Sequence, residues 1–188
     1  MANAFGCVII ISMKAQDILG FWFEELEPKQ WWVKDLELDQ TIKQRFESTH
    51  KAALAGELFH WRETPEGRLA EVIVLDQFAR NIYRDTPASF ASDPLSLCLA
   101  QTAVAVGDDM KLTDQQRSFL YMPYMHSESL TIHDEAMRLF KDLGNLDFEI
   151  KHRNIIVQFD RYPHRNDILG RKSTPAEIEF LTQPNSSF

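Results

Sequence analysis

Two segments of this sequence are rich in arginine, the residue type best suited to binding an anion. DRYPHRNDILGR, from Asp160 to Arg171, contains three arginines and a histidine, and QFARNIYRD, from Gln77 to Asp85, adds two arginines and an asparagine. A planar guanidinium can donate two parallel hydrogen bonds to a carboxylate or a phosphate. The two segments therefore predict a shared anion pocket. Its predicted ligand-binding side chains are Arg80, Asn81, Arg84, Arg161, Arg165, Asn166 and Arg171.

A structural role for the same arginines is the alternative. An arginine near a helix C-terminus can bond the last carbonyls and complement the helix dipole, which contributes about 0.3–1 kcal/mol. These side chains can also tie a loop to Asp85, Asp93 or Asp160. The sequence leaves both roles open.

Histidines close to these arginines could transfer protons. His126 and His164 have side chains of a type that titrates near neutral pH, and Glu128 could orient one of them. If the protein is an enzyme, the residues favour metal-independent acid/base chemistry on an anionic substrate. The catalytic candidates are His126, Glu128 and His164.

Other common site chemistries are not favoured. In HSESLTIH, His126 and His133 are seven residues apart, which is about 10.5 Å along a helix and too far for one zinc ion. Ser127 adjoins His126, but no G-x-S-x-G motif surrounds it. Glycine is scarce, and neither a dinucleotide fingerprint nor a phosphate loop occurs. The sequence predicts no metal site and no cofactor.

Helical periodicity recurs along the chain, and strand patterns hardly appear. Val72 to Leu75 has strand propensity but lies within a longer capped segment, which favours a buried helix. The start and stop signals are Pro28, Asp39, Gly56, Thr64-Pro65, Asp93-Pro94, Gly107, Thr113 to Gln116, Pro123, Gly144 and Thr174-Pro175, with one helix expected from about Ser127 to Leu143 and another from Phe148 to Phe159. We therefore predict an all-α fold of about eight helices stacked as antiparallel helical hairpins, similar to tetratricopeptide repeats.

Composition limits the classes of partner. The formal net charge is −8 and 44% of residues are hydrophobic, so a duplex-binding surface or a disordered chain is not expected. Two cysteines are too few for a disulfide framework, which favours a reducing cytoplasm, and Cys98 is expected in the core. Residues 1–12 contain an apolar run too short for a signal peptide or a membrane span. We predict a loosely ordered extension at 1–12, one domain at 13–188, and no nucleic-acid or membrane partner; the oligomeric state stays open.

Four stretches together resemble the bacterial domain-of-unknown-function family 924. They are ILGFWFE (Ile18 to Glu24), DQFARNIYR (Asp76 to Arg84), QRSFLYMPYMHSE (Gln116 to Glu128) and YPHRNDILGR (Tyr162 to Arg171). The resemblance covers nearly the whole chain from Ala15 onward and implies an all-helical, tetratricopeptide-like fold, but no activity. Glycine is common in that family at the positions of Asp85 and Asp160. This implies either left-handed backbone there, which aspartate tolerates, or pairing of these aspartates with arginines.

Two kinds of function follow as hypotheses. The first is a pocket lined by arginine and histidine that binds an anionic small molecule or a peptide terminus, with or without acid/base catalysis. The second is a protein-interaction module without catalysis, with an exposed groove formed by Trp31, Trp32 and Trp61. Against the second stands the possibility that the tryptophans form an aromatic wall of the core.

Overall fold

The computed structural model describes residues 13–184 and 186–187, and within them it contains eight helices and no strand. The helices are α1 (Ala15–Gly20, continued by the π-helical turn Phe21–Glu25), α2 (Leu36–Leu54), α3 (Pro65–Ile73, the π-helical turn Val74–Phe78, and Ala79–Ile82), α4 (Asp93–Ala105), α5 (Asp114–Met125), α6 (Leu130–Leu139), α7 (Leu146–Phe159) and α8 (Pro175–Leu181). Short 3₁₀ turns occupy Pro28–Trp31, Phe59–Glu63, Pro87–Phe90, Asp109–Lys111 and Pro163–Arg165. The prediction of an all-α fold with about eight helices is confirmed. Stacking as in tetratricopeptide repeats stays a prediction, and the expectation for residues 1–12 lies outside the described residues.

Capping side chains mark the starts of four helices, α2, α3, α5 and α8. Thr113 and Thr174 each form a capping box, and Thr64 accepts a hydrogen bond from the Gly67 amide at 3.0 Å. The predicted starts of α3, α5 and α8 are thus confirmed. The predicted start of α2 at Asp39 was wrong, because Asp35 caps this helix by accepting from Glu37 and Leu38.

Two further boundaries differ from the prediction. Helix α5 continues past Pro123 to Met125, because a proline in the last turn removes only one intrahelical hydrogen bond. Helix α6 covers Leu130–Leu139 and is shorter than the expected Ser127 to Leu143.

Helix α3 lies at the centre of the core. Its residues from Leu69 to Leu75 are all fully buried, which confirms that Val72 to Leu75 is a buried helix. Helices α1, α2, α4 and α5 all pack against α3. Because α3 contacts so many elements, polar side chains on it lie deep in the molecule and need partners there.

The tryptophans and Cys98 show where the apolar pattern was misleading. Trp22 and Trp61 are buried in the core, whereas Trp32 is 62% exposed and stacks on Phe119. The groove of three tryptophans is therefore not formed. The prediction that Cys98 is buried was wrong, because Leu99, Ala100 and Ala103 form the inward face of α4 and Cys98 points the other way.

Gly67 lies against the backbone of the turn that precedes α3. A Cβ atom on Gly67 would lie 1.9 Å from the Trp61 carbonyl oxygen, so the chain must shift to accept a side chain. Gly67→Ala is expected to destabilise the protein by more than 1 kcal/mol, although alanine is normally favoured in a helix by about 0.5–1 kcal/mol. Gly20→Ala is the matched control, since nothing lies within 4 Å of its Cβ position, and it should raise stability. Urea unfolding measures the free energy of unfolding of both variants. A change of the same sign in both would contradict the steric conflict expected at Gly67.

Candidate functional site

A buried carboxylate–imidazole pair joins α3 to the end of α5. Asp76 lies in the π turn of α3 and is fully buried, and His126 is the C-terminal cap of α5. The Nδ1 atom of His126 lies 2.8 Å from Asp76 Oδ1. Gln77 donates to the other carboxylate oxygen, and Arg80 Nη1 lies 3.6 Å from Asp76 Oδ1 and donates to the Asp76 main-chain carbonyl at 3.0 Å. The carboxylate is thus held from several sides.

The charges around Asp76 determine the tautomer of His126. Burial alone would raise the pKa of Asp76, but His126 and Arg80 beside it bring that pKa to about 2. An ionised carboxylate can only accept, so Nδ1 of His126 donates to it. Burial lowers the pKa of His126 despite the nearby Asp76, so the ring is neutral at pH 7 with its lone pair on Nε2.

Two guanidiniums share the carboxylate of Asp93 at the start of α4. Arg80 binds it with two hydrogen bonds of 2.9 and 3.0 Å, while Arg165 reaches it with one longer bond of 3.4 Å. Arg165 also donates to the His126 carbonyl at 3.1 Å, and its guanidinium lies between the rings of Phe90 and Tyr162. Its side chain is only 8% exposed, and its Nε has no partner among the described residues. Arg165 is therefore buried but incompletely paired.

An open pocket of about 370 Å³ lies beside these groups. Its lining residues are Pro87, Phe90, Ala91, Asp93, Pro94, Leu97, His126, Ser127, Glu128, Arg165 and Leu169. Most of the wall is apolar, and the four ionisable groups come from three separate segments. A volume of this order is at the lower end of the range for small-molecule sites.

The other predicted binding residues lie outside the pocket wall. Arg80 pairs with Asp93 as described above, Asn166 bonds a serine, and the remaining four belong to three separate ion-pair networks. Asn81 and Arg84 both bind Asp39 of α2, at 2.8 and 2.6 Å. Arg161 forms two hydrogen bonds to Glu177 of α8, at 2.6 and 2.8 Å.

The third network is next to the pocket. Arg171 binds Glu128 at 2.6 and 2.9 Å, and Glu128 also accepts from the Tyr162 amide at 2.8 Å. Asn166 donates to Ser173 Oγ at 3.1 Å. The arginines of these networks tie parts of the fold together, but to carboxylates other than Asp85, Asp93 and Asp160; of those three, Asp93 is bound, by Arg80 and Arg165. Only Arg165 among the seven lines the pocket.

His164 lies behind the pocket and not in its wall. Its ring centroid lies 5.5 Å from that of Tyr162, with the two planes tilted by 39°, and burial lowers the pKa of His164 to about 4. His133, also near Tyr162, uses both ring nitrogens: Nδ1 lies 2.7 Å from Glu149 and Nε2 lies 2.9 Å from the Ser127 carbonyl oxygen. Of the catalytic candidates, His126 and Glu128 line the pocket and His164 does not.

Asp76, the partner of His126, was missed as a site residue by sequence reasoning. The signal was a single carboxylate inside the apolar run VIVLDQF, since a fully buried aspartate must be paired. Its spacing of four from Arg80 was a second signal. No group of three or more His, Cys, Asp or Glu side chains is placed to hold a metal ion in the described part of the chain.

Comparison with known proteins shows the family. A family model described as "Bacterial protein of unknown function (DUF924)" matches residues 18–185. The chain belongs to this family. The resemblance seen in the sequence is thereby confirmed, and the segments that carry it supply His126 and Arg165 of the pocket and Asp76, the buried partner of His126.

A solved structure extends the comparison to the fold. This DUF924 chain is similar to a protein of unknown function, ATU0120 from Agrobacterium tumefaciens, with a TM-score of 0.85 and 38% identity over 89% of this chain and 96% of that one. No curated protein matches the chain. Of the described helices, none is long and apolar enough to cross a membrane.

Proposed function

We propose that this DUF924 protein binds a small anionic molecule, with a carboxylate or phosphate group, in the pocket beside Arg165. The incomplete pairing of Arg165 carries the proposal. A buried guanidinium normally binds a carboxylate through two parallel hydrogen bonds. Arg165 has only one such bond, of 3.4 Å, to Asp93, which Arg80 already binds twice. Nη1 and Nη2 of Arg165 each make one bond, to Asp93 and to the His126 carbonyl, and each keeps a second N–H without a partner among the described residues. An unmet buried donor costs about 1–3 kcal/mol, which a ligand oxygen in the pocket would recover at these atoms.

The rest of the pocket suits the body of such a ligand. Phe90, Pro94, Leu97 and Leu169 contribute apolar surface to the pocket lining, beside its polar groups. A ligand with one anionic group and a short apolar or aromatic body satisfies both sides, and a peptide carboxyl terminus with an apolar last residue has the same chemistry. We place this binding in the cytoplasm, in line with the low cysteine content.

A thermal-shift panel of charged and neutral pairs tests the proposal. Hexanoate, benzoate and phenyl phosphate are compared with hexanamide and benzamide, which have the same apolar bodies without the charge. A ligand at a hundred times its dissociation constant stabilises by about 2.7 kcal/mol, which raises the melting temperature by roughly 5–11 °C at this size. We expect the rise for the anions only.

Three variants locate the binding. Arg165→Met should abolish the shift, and Leu169→Trp should do so by filling the pocket while leaving Arg165 in place. Arg153→Met is the control, because Arg153 pairs with Asp134 on the surface away from the pocket. Equal shifts with the neutral amides, or a full shift in both pocket variants, would contradict the proposal.

A protein-interaction role is the second candidate, and one surface feature favours it. Trp32, Val33 and Leu36 are close in sequence and all more than half exposed. Trp32→Ser should then weaken capture of a partner without changing the response to anions.

A further inference from the structure

We propose that the pocket is catalytic, with Asp76 and His126 acting as an acid–base dyad in which Nε2 of His126 removes a proton from the bound anion or from a water molecule beside it. This inference rests on the proposed anion binding. It assigns a reaction class to the same pocket, namely proton removal that leaves negative charge on an oxygen atom next to Arg165.

The position of Nε2 is the first argument. Nδ1 of His126 is turned inward to the fully buried Asp76, and His126 lines the pocket. Nε2 makes no hydrogen bond to any described residue. It is also not one of the fully buried polar atoms, so a molecule in the pocket can reach it. Since 16% of the side chain is exposed, the free ring edge with Nε2 faces the pocket.

His133 provides an internal comparison. It also pairs with a carboxylate through Nδ1, but its Nε2 is 2.9 Å from the Ser127 carbonyl oxygen and 3.2 Å from the Tyr162 hydroxyl. A histidine that only braces the fold uses both nitrogens in this way. His126 instead keeps one basic nitrogen available, which is the arrangement that a general base requires.

The groups around His126 suit it to this task. Asp76 and Arg80 approach from α3, Asp93 from α4, Glu128 from the segment after α5, and Arg165 and His164 from the loop after α7. Burial is the largest influence and lowers the pKa of His126, while Asp76 and Asp93 oppose this effect and Arg80 adds to it. The ring is consequently a neutral base at neutral pH, and Asp76 stabilises the imidazolium that forms.

The step balances without a redox partner. The bond between the proton and a substrate carbon, or the oxygen of water, breaks, and the proton passes to Nε2. When the proton comes from carbon, the electron pair of the broken C–H bond forms an enolate. When it comes from water, the electron pair of the broken O–H bond supplies the new bond to an acyl carbon, while the C=O π pair moves onto the carbonyl oxygen and gives a tetrahedral oxyanion. Arg165, which donates to the His126 main-chain carbonyl and lines the same pocket, stabilises this charge. The imidazolium then returns its proton to the product or to the leaving group.

Two anionic probes separate the two sources of the proton. Mono-4-nitrophenyl glutarate reports hydrolysis by water, and pyruvate in D₂O reports exchange of its methyl protons by proton NMR. We expect turnover above the buffer rate in at least one assay with the full chain. General acid–base catalysis contributes about 10²–10⁴-fold, so His126→Gln should lose at least 100-fold of it. His60→Gln, at an exposed position, should leave the rate unchanged.

Asp76 acts through His126 and is tested by a pH profile. Because Asp76 favours protonation of His126, Asp76→Asn should move the acidic limb of kcat/KM to lower pH and reduce the plateau. If Asp76→Asn does not fold, the imidazole ¹⁵N shifts of the unaltered protein decide: they should show a proton on Nδ1 and none on Nε2 at pH 7. A proton on Nε2 would overturn the dyad.

The outcomes distinguish this inference from the proposed function. If anions shift the melting temperature through Arg165 but both probes turn over equally in the protein and in His126→Gln, the pocket binds and the dyad is not catalytic. If turnover depends on His126 while Arg165→Met keeps the anion response, the dyad stands and the binding proposal falls.

Discussion

Replacing Arg62 with methionine is expected to lower the free energy of unfolding by about 3–5 kcal/mol. Arg62 donates to both oxygens of Glu71, each at 2.7 Å, and Glu71 lies on the central helix α3 with no exposed surface. Methionine has a similar volume but no charge, so the Glu71 carboxylate would stay buried without a partner. At roughly 2–4 °C per kcal/mol, the melting temperature should fall by about 6–20 °C.

A second substitution shows that the loss comes from the unpaired charge. Adding Glu71→Met to Arg62→Met should restore most of the stability, because two apolar side chains replace the ion pair. Arg138→Met is the matched control. Arg138 pairs with Glu135 in a largely exposed position, and its removal should cost less than about 1 kcal/mol. Urea unfolding at pH 7 measures all three, and an equal cost for Arg62 and Arg138 would contradict the argument.

Lowering the pH from 7 to 5 is expected to remove about 4 kcal/mol of stability through two buried histidines. Burial lowers the pKa of His164 to about 4 and that of His152 to about 3, whereas an unfolded histidine has a pKa of about 6.5. Above pH 6.5 neither state binds the proton, so these groups make no difference. Between pH 6.5 and 4 only the unfolded state binds it, which lowers stability by about 2 kcal/mol per histidine at pH 5.

The slope of stability against pH isolates this effect from the cost of the substitution itself. His164→Gln should reduce the loss between pH 7 and pH 5 by about 2 kcal/mol, whatever its effect at pH 7. His60→Gln removes an exposed histidine and should leave the slope as it was. An unchanged slope in His164→Gln would show that His164 takes up its proton in the folded protein as readily as in the unfolded chain.

Helix content could be predicted from the sequence because its signals are local. The capping threonines and the glycines at 56 and 107, both with positive φ, lie within a few residues of the helix ends that they determine. The left-handed backbone implied at Asp85 and Asp160 is also present, with φ of 60° and 55°. Asp85 pairs with Lys34 and not with an arginine.

Asp93 was among the partners considered for the arginines and is bound by Arg80, but Asp39, Glu128 and Glu177 could not be predicted, since ion pairs depend on which helices meet. Arg80 was expected to share a pocket with Arg161, but it binds Asp93 thirteen residues away, and Arg161 binds Glu177 of α8. The residue types predicted one cluster of arginines, but the packing of the helices places these arginines in separate ion-pair networks. His126 was named as a candidate, but its partner fifty residues earlier lies within an apolar run that periodicity assigns to the core.

The π turn of α3 has a consequence for how such a site can arise. A π turn holds one more residue than an α turn, so it changes the helical phase by about 100° between the residues before Val74 and those after Phe78. Asp76 lies within that phase step, and Arg80, which bonds its carbonyl, lies just beyond it. Deleting one residue there would give an uninterrupted helix and would turn Arg80 away from Asp93. The relative positions of Asp76 and Arg80 therefore depend on the one additional residue in this turn. A change of chain length can alter them together, and no single substitution can produce the same effect.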